Sequence, residues 1–228
     1  MTNLVIKKPL SIYLPVAGSE SNFPVRRVYC IGRNYAEHAR EMGHDPDRDP
    51  PFFFQKNPDN IVLDGRFKYP TMSSDVHHEV EMIVALKSGG SSISVSSANQ
   101  HIFGYGIGFD MTRRDLQHQA KKMGRPWEVG KAFEQSAPCS ELHPIETTGV
   151  IEKGKISLHV NGEIRQNADL SDMIWSVPEM ISILSEYFEL SAGDIILTGT
   201  PAGVGAVRPG DKMKAYIERL GEFVVMVH

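Results

Sequence analysis

Residues 76–87 read VHHEVEMIVALK. Polar and apolar side chains alternate through Val80, Met82 and Val84, the period of a half-buried β-strand and not of a helix. KSGGSS (87–92) then forms a turn, and residues 96–101 read as a short helix. HIFGYGIGFDM is a glycine-rich strand leading into the polar helix TRRDLQHQAKKMG. Further on, KISLHVNGEIRQ contains Asn161-Gly162, a hairpin signal, because that pair accepts the left-handed backbone of a tight turn. A helix over about 178–189 carries Pro178 in its first turn and Met180, Ile181, Leu184 and Phe188 at helical spacing. DIILTGT is a strand, PAGVGAVRPGD a loop, and two strands close the chain. Upstream, VYCIG (28–32) is a buried strand. A helix from Asn34 to about Met42 follows, capped by Asn34 and ended by Gly43. GHDPDRDPPFF is too proline-rich for regular structure. Strands outnumber helices without alternating with them, so the expected class is α+β and β-rich. Residues 1–24 are expected as an N-terminal arm and 25–228 as a single domain.

The chain has 228 residues, 41% apolar and 23% charged, a globular balance. Its formal net charge of −4 includes no basic surplus, which argues against nucleic acid or an anionic membrane as partner. Cys30 and Cys139 stand far apart, so neither a disulfide framework nor a thiolate zinc site is expected. No apolar run is long enough to span a bilayer and no signal peptide is evident, so a cytoplasmic protein is expected.

Glu79 and Glu81 lie two apart on a strand and so share a face. Two carboxylates held together repel and lose hydration unless a positive group sits between them. Either they form a solvated outer face, or they hold a hard divalent cation: Mg²⁺ or Mn²⁺, with Ca²⁺ able to substitute. Asp110 ends the GYGIGF run, where it either caps the next helix or completes a triad with positions left open for substrate. His38 and Glu41, three apart on a helix, make either a surface pair or a general-base dyad. Lys131 is either a snorkelling lysine or an enolate stabiliser. Arg114 and Gln117 project together from their helix, onto solvent or onto an anionic substrate. GYGIGFD lacks the helix-opening GxGxxG of a dinucleotide site, and TGTPAGVGAVRPGD lacks GK[ST], so neither is a nucleotide loop. The glycines of the latter still let backbone amides approach a carboxylate, and Thr200 adds a hydroxyl. His77, His78 and His118 show no metal spacing and read as local polar residues.

GRNYAEHAREM (32–42), HHEVEMIVAL (77–86), GYGIGFDMTRRDLQ (104–117), GKAFEQSAP (130–138) and LTGTPAGVG (197–205) resemble, in order and spacing, the fumarylacetoacetate hydrolase family. The likeness covers nearly everything after residue 25. It implies an irregular mixed β-roll with a few short helices, usually as a homodimer. It implies Mg²⁺ or Mn²⁺ on Glu79, Glu81 and Asp110, and a His38–Glu41 dyad on a lid helix. Lys131, Gln117, Arg114 and Thr200 would line the site. PFFFQKNPDN, together with DMTRRDLQ, KKMGRPWEVGKAF and DMIWSVPE, further resembles a short bacterial branch of gentisate catabolism. That implies cleavage of a 2,4-dioxo acid, fumarylpyruvate, to fumarate and pyruvate. Acylpyruvate hydrolysis, oxaloacetate decarboxylation, and isomerase or hydratase chemistry are the alternatives the family allows. A substrate with a second carboxylate needs a distal cation, for which Arg33, Lys56 and Arg125 are candidates. A non-catalytic scaffold would need none of these groups.

Overall fold

The computed structural model describes residues 5–7, 10–41 and 50–228, with the backbone alone for 39–41. Its first half contains β1 (Tyr13–Pro15), β2 (Asn22–Pro24), β3 (Arg27–Gly32), α1 (Ala36–Glu41), β4 (Phe52–Lys56), β5 (Ile61–Val62), β6 (Arg66–Phe67), β7 (Val76–His78), β8 (Val80–Leu86) and β9 (Ile102–Phe109). Then come β10 (Thr112–Arg113), α2 (Arg114–Met123), α3 (Glu128–Lys131), β11 (Ala137–Pro138), β12 (His143–Pro144) and α4 (Ile145–Thr148). The chain ends with β13 (Lys155–Val160), β14 (Glu163–Asp169), α5 (Val177–Tyr187), β15 (Asp194–Leu197), β16 (Gly205–Ala206), β17 (Lys212–Ile217) and β18 (Gly221–Val227).

A six-stranded mixed sheet runs in the order β12-β9-β8-β15-β3-β4, and a five-stranded sheet in the order β14-β13-β17-β18-β6. Within the first, β15 lies parallel to β3 and antiparallel to β8. The β-rich α+β architecture matches the expectation.

β8 corrects one detail. It is buried on both faces along its whole length, not half-buried. Val80, Met82, Val84 and Leu86 enter the larger core, which the inward side chains of β13, β17 and α5 complete. Ile83 and Ala85 enter a second core with Val28, Cys30, Ile195 and Leu197. The alternation is therefore real but sorts side chains between two cores, as expected of a central strand covered on both faces. The N-terminal hairpin of β1 and β2 contributes Leu14 and Phe23 to the second core.

The β9 glycines have a steric reason. A Cβ at Gly104 would collide with the His143 carbonyl of the crossing edge strand β12, and one at Gly106 would lie 3.1 Å from the Glu141 carbonyl. At the hairpin, Asn161 and Gly162 adopt φ of 54° and 87° between β13 and β14, as the pair predicts.

Two further expectations change. Phe52 and Phe53 belong to β4, paired with β3, because the three consecutive phenylalanines favour a strand once the prolines have passed. The first helix spans Ala36–Glu41, and Met42 and Gly43 lie outside the described residues. Asn34 does not cap that helix. Its side chain donates to the Thr198 and Trp175 carbonyls at 2.9 and 3.0 Å and accepts from the Trp175 amide at 2.8 Å. It thus pins the entry of α1 to the 173–175 segment and the end of β15. Among the described residues, no helix is long and apolar enough to cross a membrane.

Candidate active site

Glu81 lies on β8, Glu79 immediately before it, and Asp110 immediately after its antiparallel neighbour β9. The turn of the ladder brings one oxygen of each to within 4.8 Å of the others, and all three residues are buried. The reading of Asp110 as a helix cap does not hold, since α2 begins four residues later and the carboxylate faces the triad's cations instead.

Three cations converge on these acids. Lys131, at the end of α3, donates to Glu79 Oε2 at 2.7 Å and to Asp110 Oδ2 at 2.6 Å. Arg114, at the start of α2, donates to Glu79 Oε1 and, at 2.7 Å, to Gln117 Oε1. Its Nε also lies 3.4 Å from His77 Nδ1, and His77 in turn pairs with Asp75 at 2.8 Å. Lys56 places its ammonium 2.8 Å from Asp110 Oδ1 and donates to the carbonyls of Met111 and Lys131. Lys56 is thereby excluded as a distal cation, because its side chain is buried beneath the triad. Exposed Arg125 does not line the cleft.

The charges are unequal. Burial opposes ionisation of Glu79, but Lys131 and Arg114 outweigh it and hold this carboxyl well below its usual range. Burial pushes Glu81 well above that range, and Asp110 and Glu79 add to the effect. Lys131 is buried too, which favours the neutral amine, yet Asp110 and Glu79 keep its proton and raise it above the ordinary lysine value. Glu81 accepts the Gly199 amide at 2.8 Å, so the glycine loop does bring a backbone amide to a carboxylate, the protein's own.

The donor set fits a hard divalent ion. It consists of carboxylate oxygens only, the preference of Mg²⁺ and Mn²⁺. Asp110 Oδ1 accepts no well-directed hydrogen bond although the Lys56 ammonium is close, leaving a buried lone pair for a ligand. Concentrating three acids with one carboxyl forced toward its neutral form is what a dication at this point would relieve.

The triad opens into a cleft. His38 from α1, Gln117 from α2, Thr200, Arg33, Arg114 and Lys131 all line it, so the sequence-predicted set meets in one place. The Glu41 side chain lies outside the described residues. Thr200 differs in detail: its hydroxyl donates to the Val80 carbonyl at 2.8 Å and accepts from Gln166 at 2.7 Å, so its proton is directed at the backbone. Gln166 also accepts from the Val80 amide and lies 3.1 Å from His78. Sequence reasoning missed Gln166, Lys121, Trp127, Phe52 and Phe54 as neighbours of the site. Only the apolar run before Lys56 hinted at the aromatic wall.

The family profile described as Fumarylacetoacetate (FAA) hydrolase C-terminal matches residues 27–228. A fumarylpyruvate hydrolase of Ralstonia sp is 42% identical over 189 residues, covering 82% of this chain and 98% of that protein. An oxaloacetate tautomerase of Escherichia coli K12 is 40% identical over 199 residues, covering 86% and 90%. Among solved structures, the fumarylpyruvate hydrolase of Pseudomonas aeruginosa in complex with Mn²⁺ and pyruvate superposes with a TM-score of 0.97 at 48% identity, covering 99% of each chain.

Proposed function

This chain belongs to the fumarylacetoacetate hydrolase family, and from that premise we propose that it is a metal-dependent hydrolase of 2,4-dioxo acids, cleaving fumarylpyruvate to fumarate and pyruvate. The observation that carries the reading is the buried Glu79–Glu81–Asp110 triad opening into a cleft that also holds a histidine, a charged lysine and an arginine–glutamine pair. The relatives that act on fumarylpyruvate support the choice of substrate.

Glu79, Glu81 and Asp110 would hold Mg²⁺ or Mn²⁺. When bound, the ion supplies positive charge against the oxyanions that develop on the substrate. His38 accepts a proton from water, Glu41 orients the imidazole, and the hydroxide adds to the C4 carbonyl. Gln117, held by Arg114, donates to the tetrahedral oxyanion. Collapse breaks the C3–C4 bond and leaves fumarate and the enolate of pyruvate. Lys131, charged and adjacent to Glu79 and Asp110, stabilises that enolate until C3 is protonated. Thr200 helps fix the pocket wall. Residues 25–228 form the catalytic unit and 1–24 its arm; the working form is a cytoplasmic homodimer serving gentisate breakdown.

The direct test is the Mn²⁺-loaded protein against a panel of acylpyruvates, followed by loss of enol absorbance. Turnover of fumarylpyruvate with release of pyruvate is expected; no turnover of any acylpyruvate sinks the reading. The likeness to an oxaloacetate tautomerase favours a second reading, enol–keto or decarboxylation chemistry on oxaloacetate. Such chemistry needs no attacking water, so oxaloacetate activity that survives His38→Ala while hydrolysis disappears would separate the two.

A further inference from the structure

The cleft has a second chemical character away from its acids. Phe54, Trp127 and Phe52 form a wall, with ring centroids 5.9 Å apart for Phe54–Trp127 and 5.1 Å for the edge-on pair Phe52–Trp127. Lys131 stands over the near end of this wall, its Nζ 5.1 Å from the Phe54 centroid. Lys121 stands over the next ring, its Nζ 4.8 Å from the Trp127 centroid. Two rings therefore separate the enolate-stabilising ammonium from another one. The surface between them is aromatic, its Phe54 and Trp127 rings inclined at 53° to one another, and suited to an unsaturated acyl chain.

Lys121 lacks the ordinary partner of a cleft lysine. Among the described residues it makes no ion pair, whereas Lys56, Lys131 and Arg114 each contact a triad carboxylate. Burial above all, with Arg114, Arg33 and Lys131 in support, depresses its ammonium to about 8. Helix stabilisation does not explain the placement. Lys122 shares the last turn of α2 and complements its C-terminal dipole while exposed, without lining the cleft.

We infer that Lys121, seated on the Trp127 ring, binds the terminal carboxylate of the acyl group, so that the site selects dicarboxylate acylpyruvates over those with neutral tails. The inference rests on the hydrolase reading above and names what that reading leaves open, the group that recognises the second carboxylate. An incoming anion gains a charge-assisted hydrogen bond and neutralises an unpaired cation in a sheltered cleft. A neutral methyl tail gains neither and leaves the ammonium unpaired.

The test compares kcat/KM for fumarylpyruvate and acetylpyruvate in the Mn²⁺-loaded full chain, for the parent, Lys121→Met and Lys121→Arg. Loss of one charged hydrogen bond should lower the fumarylpyruvate-to-acetylpyruvate ratio in Lys121→Met by roughly ten- to a hundredfold, mainly through KM, while Lys121→Arg keeps most of it. A ratio unchanged in Lys121→Met, or an equal loss on both substrates, overturns the inference. If the parent cleaves neither substrate, the hydrolase reading fails by itself. Calorimetric binding of fumarate to the parent and to Lys121→Met then still decides about Lys121: weaker binding in the variant supports the assignment, and equal binding overturns it. A thermal melt of each variant reports its folding.

Discussion

Asp110 is held between two ammonium groups, Lys131 on one oxygen and Lys56 on the other. Glu79 likewise meets Lys131 and Arg114. Glu79→Gln removes a ligand charge and breaks both pairs, so divalent affinity should fall by more than roughly tenfold, read by Mn²⁺ titration calorimetry. His38→Ala has a different signature. The proposed general base is lost while the triad stays whole, so kcat should drop by about 10²–10⁴ with Mn²⁺ affinity retained; full activity would remove His38 from the chemistry. The two cysteines make a third case. Burial pushes the Cys139 thiol up to about 12 and raises Cys30 well above its ordinary value. Since the thiolate is the reactive form, neither should react with a thiol reagent in the native protein, and both should react in denaturant. The residue types of the site were legible because their chemistry travels with the side chain. Their partners were not: Lys56 is by sequence a candidate for a distal substrate carboxylate, yet it lies under Asp110, fifty-odd positions further along the chain.

At the scale of elements, β9 shows why a glycine-rich strand need not serve a nucleotide. Its glycines leave room for the chain that returns through β12, whose His143 carbonyl passes where a Gly104 Cβ would stand. Gly104→Ala should therefore cost about 1–3 kcal/mol of overpacking, seen as a lowered Tm with the same sheet content by circular dichroism; an unchanged Tm would mean that β12 yields freely. β8 carries the opposite lesson. Its period was readable, but alternation alone cannot say whether the polar phase faces water or a second core, and here both phases are buried. Asn34 failed as a cap for a similar reason. Its local context is that of an N-cap, but the Trp175 N–H, supplied from far along the chain, takes its side-chain oxygen, and the Trp175 and Thr198 carbonyls take its NH2.

For the whole molecule, the triad gathers three buried carboxylates at one end of the β8–β9 ladder. A ligand that binds the folded state alone stabilises it by mass action: at a hundred times Kd the gain is about 2.7 kcal/mol, worth roughly 5–10 °C in Tm for a chain of this size. Mn²⁺ should raise the Tm accordingly, EDTA should reverse the shift, and Glu79→Gln should largely abolish it; a Tm indifferent to Mn²⁺ in the parent chain would argue against a resident ion. The sequence by itself determined the β-rich class, the hairpin at Asn161-Gly162, the run of strands and the identity of the acids, because each depends on local period, backbone preference or side-chain type. Tertiary structure alone decided which cation neutralises which acid, that β8 has no wet face, and that Lys121 sits on an aromatic wall. Those outcomes depend on groups brought together from distant parts of the chain, and the energy of such contacts leaves no trace in the spacing of neighbouring residues.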